Sequence, residues 1–337
     1  MSSHPYEVLT PDVVLDALAS VGLQGDGRLL GLSSYENRVY QLHLEEPHEG
    51  NAAVVVKFYR PGRWSLAQIL EEHAFAAELM VAEIPAVGPL ILQGRSLHEH
   101  AGFAFSVSPS RGGRSPELDD VEVLEWIGRF LARIHTVGAS RPFASRPALD
   151  VKSFALEPRD WLMSHDRVPL DVQAAWLKAC NSAIDLITSH TRSMDVGADA
   201  AVRVRQLRLH GDCHPGNILW IPDQGPHFVD LDDARTGPAV QDLWMLRSGA
   251  RSQRTRQLGA LVDGYEQFRE FDRRELALIE PLRTLRLIHY SAWLARRWDD
   301  PAFPRAFPWF GSSDYWQGQV QMLEEQIEAM DEPPLVA

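Results

Sequence analysis

The sequence predicts an α+β chain in two lobes: a small antiparallel β-sheet lobe over residues 1–108 and a larger, mainly helical lobe over 109–337. Three observations predict it. Short β-branched runs with period-two alternation crowd the first lobe, and long stretches at helical spacing fill the second. A Gly, Ser and Arg punctuated break, "SRGGRSP", separates them.

Taken in order, Thr10 caps a first helix with Pro11 at its first position, Val14, Leu15, Leu18 and Val21 at helical spacing, and Gly22 as its stop. "RLLGL", "RVYQLHL" and "AAVVVKFY" follow as three strands of a meander, with "EEPHEGN" as the turn before the third. Ser65 then caps the helix "SLAQILEEHAFAAELMVAE", whose inner side is Ile69, His73, Ala76 and Met80. "AVGPLILQG" and "HEHAGFAFSVSPS" complete a five-stranded sheet. In the second lobe, "DVEVLEWIGRFLARIHTVG", "VPLDVQAAWLKACNSAIDLITSHT" and "ELALIEPLRTLRLIHYSAWLARRW" read as helices. One insert, "RQLRLHGDCHPGNILWIPDQGPHFVDLDDART", reads as strand or turn, loop, strand, turn, strand. A β-rich lobe, a hinge and a helical lobe make a cleft, where ligands usually sit.

Composition narrows the function. The chain of 337 residues carries a net charge of -13, which argues against nucleic acid as a partner, because phosphate binding needs basic surface. Cys180 and Cys213 are too few for a disulfide framework, and the acidic start lacks a signal peptide's basic and apolar run. No segment is apolar over the roughly 20 residues of a membrane span. A cytoplasmic protein with no membrane partner is expected. Without a heptad or a long apolar stripe, monomer is the default.

The sharpest motif is "HGDCHPGN" (His210 to Asn217), followed by "FVDLDD". Asp212 and Asn217 have the Asp-x-x-x-x-Asn spacing of phosphoryl-transfer loops, in which the Asp takes the acceptor hydroxyl's proton and the Asn holds magnesium. Asp230 ends the apolar run "HFVD" as a second oxygen ligand for a hard cation. Asp232 and Asp233 compete with it but lie beyond the strand end. Lys57 ends "VVVK", where a phosphate-holding lysine belongs, and Glu71 or Glu72 on the next helix is to pair with it; Glu72 is preferred. A transition-metal cluster of His210, Asp212, Cys213 and His214 is the rival reading, weakened because adjacent ligands in one loop close a site poorly. Cys213 is expected to be a small buried thiol rather than a redox switch. The aromatic end "DDPAFPRAFPWFGSSDYW" is expected to pack rather than to recognise a peptide.

These motifs carry a resemblance. Through "LHGDCHPGNILW", "FVDLDDARTGPAVQDL" and "IGRFLARIHTVG" with His135, the chain resembles the aminoglycoside phosphotransferase and choline kinase group, with its two-lobe protein-kinase-like fold. Through "SYENRVYQ", "VVKFYRP", "ILEEH", "GPAVQDLWML" and "DPAFP" it resembles, within that group, the bacterial stress response kinase A family. That resemblance implies a stress-response enzyme that moves the γ-phosphoryl of ATP, with magnesium, to serine or threonine of proteins. By motif, Asp212 is then the catalytic base, Asn217 and Asp230 the magnesium ligands, Ser34, Lys57 and Glu72 the ATP-side residues, and Asp242 and His210 supports of the loop. A kinase of small amino sugars or amino alcohols, and a nucleotide-gated pseudokinase, are the alternatives. "SSYENRVY" takes the place of a glycine-rich phosphate loop but has no glycine after Gly31, which leaves Ser34 as its phosphate contact. Glu36, Asn37 and Arg38 then fix the turn or face the acceptor.

Overall fold

The computed structural model describes residues 4–195 and 197–337. In chain order the elements are α1 (Pro11–Ser20), β1 (Gly25–Gly31), β2 (Arg38–His48), β3 (Asn51–Phe58), α2 (Leu66–Val81), β4 (His98–His100), β5 (Phe103–Pro109), α3 (Val121–Gly138), α4 (Glu157–Ser164) and α5 (Leu170–His190). There follow β6 (Leu207–Leu209), β7 (Ile218–Ile221), β8 (Gly225–Phe228), β9 (Arg235–Gly237), α6 (Gln241–Trp244), α7 (Arg251–Tyr265), α8 (Ile279–Arg296), α9 (Ala302–Ala306) and α10 (Ser313–Asp331). Two compact units result: Met1–Glu117 with Phe143–Arg146 and His214–Ala234, and Leu118–Pro142 with Pro147–Cys213 and Arg235–Ala337. The first unit therefore runs past the expected break at 108 and takes in part of the insert. Backbone pairing explains why: Arg114 bridges Trp220, and Ala86 bridges Phe228.

The first unit is an antiparallel sheet in the order β1-β2-β3-β5-β4. Its two faces follow from strand periodicity. Val54, Val56 and Phe58 of β3, Leu42 and Leu44 of β2, and Phe103, Phe105 and Val107 of β5 point to one side and form a core with Val14 and Leu18 of α1. The intervening residues Val39, Gln41, Val55, Lys57, Ser106 and Ser108 line a cavity. Thr10 caps α1 through Val13 N, and Ser65 with Gln68 makes a capping box on α2.

Three local expectations are corrected. "AVGPLILQG" forms no strand; Pro85 precedes it and Pro89 interrupts it, and β4 and β5 are instead a hairpin inside "HEHAGFAFSVSPS". Met80 lies on the exposed side of α2, whereas Ile69, His73 and Ala76 are buried. The turn before β3 is only Glu49 and Gly50, both at positive φ, because β2 continues to His48.

The second unit is a helical assembly with the short β6–β9 ladder. Here α3 and α7 approach so closely that a Cβ on Gly128 would sit 2.1 Å from the Leu261 carbonyl, and one on Gly264 2.1 Å from that of Glu125. Glycine is required at both contacts. The aromatic end packs as expected: Phe303 and Trp316 are buried, and Trp176 meets Trp316 edge to face at 5.5 Å. No helix among the described residues is long and apolar enough to cross a membrane.

Candidate active site

In the first unit, the cavity of about 500 Å³ is lined by Ser34, Lys57, Glu72, Asn217 and Asp230, with Val39, Val55 and Leu219 as apolar wall. Each side chain arrives for a local reason. Lys57 sits opposite Val39 on β2 and Ser106 on β5, so it stands on the cavity face of the central strand. Asn217 ends a single turn, Pro215–Asn217, and its backbone pairs with Val229 (3.0 Å). Asp230 follows β8 in the left-handed region, φ 58°, an uncommon conformation for a residue with a Cβ.

The three acidic residues divide their work. Asp230 is 47% exposed at its side chain, whereas Asp232 is 4% exposed and already committed. The Oδ2 of Asp232 accepts from Asn37 Nδ2 (3.0 Å) and from Arg63, and Asp233 accepts from Arg63 Nη2 at 2.9 Å. Burial alone would raise the Asp232 pKa, but Arg63 and Lys57 outweigh it and hold the carboxyl below its usual value. Asp230, the more exposed of the two, pairs among the described residues only with Lys57.

Lys57 Nζ reaches Asp230 Oδ1 at 2.7 Å and Asp232 Oδ1 at 3.6 Å. These, not the expected Glu72, are its ion pairs. Desolvation works against the charged lysine, yet the facing carboxylates raise its pKa well above the ordinary value. Glu72 is buried beside it, with Oε2 lacking a hydrogen-bond partner, and burial pushes its carboxyl up to about 7. The neighbouring Glu71 acts elsewhere, its carboxylate accepting from the backbone N–H groups of Ala144, Ser145 and Arg146, the last two at 2.8 Å.

The polar bend at residues 33–38 is held from below. Glu36 and Asn37 are buried, and Arg60 Nε donates to the Glu36 carbonyl (2.9 Å) while its backbone N–H donates to Asn37 Oδ1 (3.1 Å). The bend is therefore fixed by side chains where glycine backbone is absent, and Ser34 is left on the cavity wall.

In the second unit, Asp212 follows the turn at Gly211, φ +85°. Asp242, fully buried at the start of α6, accepts from the backbone N–H of His210 and of Gly211, both at 2.8 Å, and from His135 Nε2 at 3.1 Å. A carboxylate only accepts, so Nε2 carries the proton. Tyr265 Oη lies 3.1 Å from Nδ1 of the same ring. Burial would raise the Asp242 pKa; the His135 hydrogen bond and the surrounding donors reverse that and lower it. His210 thus enters the brace through its backbone. Asp212 itself pairs with Arg286 Nη1 of α8 at 2.6 Å. Cys213 is fully buried, with its thiol pushed well up by burial and by Asp242 and Asp212, which suits a packed thiol rather than a reactive one.

No group of three His, Cys, Asp or Glu suited to a metal is found among the described residues, so the cluster reading of "HGDCH" gains no support. Asn217 and Asp230, two oxygen donors on one cavity, do fit magnesium, which keeps waters and phosphate oxygens as further ligands. A larger cavity of about 680 Å³ in the second unit, among Arg205, Tyr265, Arg269 and Glu275, contains none of the motif residues. Arg63 and Arg286 are absent from the sequence reading; Asp232 entered it only as a rival of Asp230 for the metal, and Glu71 only as a rival of Glu72 for the lysine.

Comparison with known proteins defines first a class. The phosphotransferase enzyme family matches residues 28–279. Amicoumacin kinase hAmiN, solved with AMP-PNP, calcium and its ligand, superposes with a TM-score of 0.71 at 18% identity over 96% of this chain and 94% of that one. A microcompartment-associated aminopropanol kinase follows at 0.70 and 18%, covering 95% and 98%. The fold is that of kinase-type phosphotransferases. Over 334 residues, covering 99% of this chain and 97% of each relative, it is 47% identical to Stress response kinase A of Shigella flexneri and of Escherichia coli strain K12, and 46% identical to Serine/threonine protein kinase RdoA of Salmonella typhimurium strain LT2. The chain belongs to the stress response kinase A family of phosphotransferases and is an enzyme of the kinase type.

Proposed function

We propose that this enzyme transfers the γ-phosphoryl group of ATP, with magnesium, to serine or threonine hydroxyls of proteins in the cytoplasm. The observation that carries the reading is the separation of roles among the acidic residues: Asp232 is bound up in structure, while Asp230 stays exposed on the cavity that also holds Lys57 and Asn217. Near-full-length identity of 46% to a serine/threonine protein kinase supports the acceptor class.

In this mechanism Lys57 and Ser34 hold phosphate oxygens, and Lys57 trades its contact with Asp230 for one with the nucleotide while Asp232 keeps it aligned. Asn217 and Asp230 would hold magnesium, whose charge, when bound, offsets that on the transferring phosphoryl. Asp212 orients the acceptor hydroxyl and takes its proton as the new O–P bond forms and the bond from the γ-phosphorus to the bridging oxygen breaks, releasing ADP. Asp242 keeps the loop backbone ahead of Asp212 in place.

Asp212→Ala is expected to lower transfer by roughly 10²–10⁴-fold while ATP still binds. The measurement is γ-phosphate transfer to protein substrates with magnesium and with EDTA, with phosphoserine and phosphothreonine mapped by mass spectrometry. Equal transfer by the variant refutes the base. Phosphate found only on small amines or sugars refutes the acceptor class.

A further inference from the structure

Arg286 stands on α8, whose inner face is held by buried Leu282, Leu285, Ile288 and Ala292, so its backbone is fixed. Its Nη1 lies 2.6 Å from Asp212 Oδ1. The side chain is 41% exposed, and among the described residues it has no other protein partner. A guanidinium carries five N–H donors in a rigid fork and stays charged at any working pH. One nitrogen, Nη1, is thus ion-paired with the base, without a well-aligned hydrogen bond to Oδ1.

A second cation belongs to the same cluster. The Arg235 guanidinium lies 4.7 Å over the Phe154 ring, and Phe154 stacks at 4.5 Å on His289, three residues along α8 from Arg286. Arg235 opens β9 opposite Leu209, three residues ahead of Asp212. Arg235 is buried, at 7% exposure, so the exposed cation beside Asp212 is Arg286. A cationic acceptor whose ammonium lies one or two bonds from its hydroxyl would bring like charge against Arg286, whereas a carboxylate there would find waiting donors.

We infer that Arg286 selects the acceptor, admitting hydroxyls flanked by carboxylate or other anionic groups, as in a serine beside glutamate, and rejecting those flanked by ammonium groups. This rests on the reading of Asp212 as the base. The net charge of -13 acts oppositely on distant partners, but beyond about 8–10 Å it is screened at ordinary salt, whereas the ion-paired guanidinium acts at contact. Selection by a built-in repulsive group is a common route to specificity.

The test compares kcat/KM for two peptides with a single serine, one flanked by glutamates and one by lysines, at 0.15 M salt. Wild type is expected to favour the acidic peptide on the order of tenfold or more. Arg286→Gln should bring the ratio towards one, chiefly through a higher KM for the acidic peptide, and Arg286→Lys should retain the preference. Equal use of both peptides by wild type, preference for the basic one, transfer to neither, or an equal loss on both in Arg286→Gln would each overturn the inference. Asp212→Asn run alongside separates the two readings: full transfer in that variant sinks the base, while an inactive Asp212→Asn with an unmoved ratio in Arg286→Gln sinks the selector alone.

Discussion

The charged cluster around Lys57 and the brace around Asp242 use the same residue types to opposite ends. Around Lys57 the groups are partly exposed and incompletely paired: Asp230 is nearly half exposed, and Glu72 has a carboxylate oxygen without a hydrogen bond. Around Asp242 the set is sealed, with two backbone N–H groups and an imidazole converging on a carboxylate that water does not reach. In the proposed mechanism, the difference separates groups that exchange partners from groups that hold theirs. Buried and saturated means positioning; half-exposed and under-committed means chemistry.

That contrast can be broken most severely at Asp242. Asp242→Ala leaves two buried N–H groups and His135 without their acceptor, and a loss of about 3–5 kcal/mol in unfolding free energy is expected, read from urea melts. A loss under about 1 kcal/mol would mean the brace is dispensable. A middle-sized effect is expected for Glu71→Ala, which strips an acceptor from three consecutive backbone donors, at about 1–3 kcal/mol by the same measurement.

A third effect is visible only against pH and concerns the adjacent Glu72. Its carboxyl is raised from 4.5 to about 7 by burial, so the folded state holds a proton that the unfolded state releases. Its contribution is therefore full below about pH 4.5, falls as pH rises to 7, and is constant beyond. Glu72→Gln should gain stability relative to wild type across that window and run parallel to it above. Using the difference between the two profiles removes His73, whose pKa, lowered to about 3 by burial, gives an opposing slope. Parallel profiles from pH 4 to 8 would show that Glu72 titrates in the fold as it does in the unfolded chain.

The sequence displayed what short-range rules govern. The caps at Thr10 and Ser65, the alternation that puts Lys57 on the cavity face, and the spacing from Asp212 to Asn217 are all local, and all are legible. The lysine's partner was not, because Asp232 lies 175 positions away and no pattern in α2 announces that it replaces Glu72. For the same reason Asn37 looked like an element of a bend, when its amide is anchored to Asp232. "AVGPLILQG" failed for another cause: Ala86 and Leu92 are buried while Ile91 is exposed, and apolar runs with proline are buried as readily in irregular backbone as in strands. Arg286 carries no motif at all, since an arginine on a helix is ordinary until the fold brings it to a carboxylate.

The glutamate that seizes residues 144–146 has a consequence for how the gene can be cut. The chain gives Phe143–Arg146 and His214–Ala234 to the first unit, and each visit is bounded on both sides by sequence of the second. No single excision isolates either half: a fragment stopping at Glu117 lacks β7 and β8 and leaves Glu71 facing water. Grafting the first unit onto a relative would take three segments moved together. Recombination in this family should be tolerated for whole chains and penalised within them.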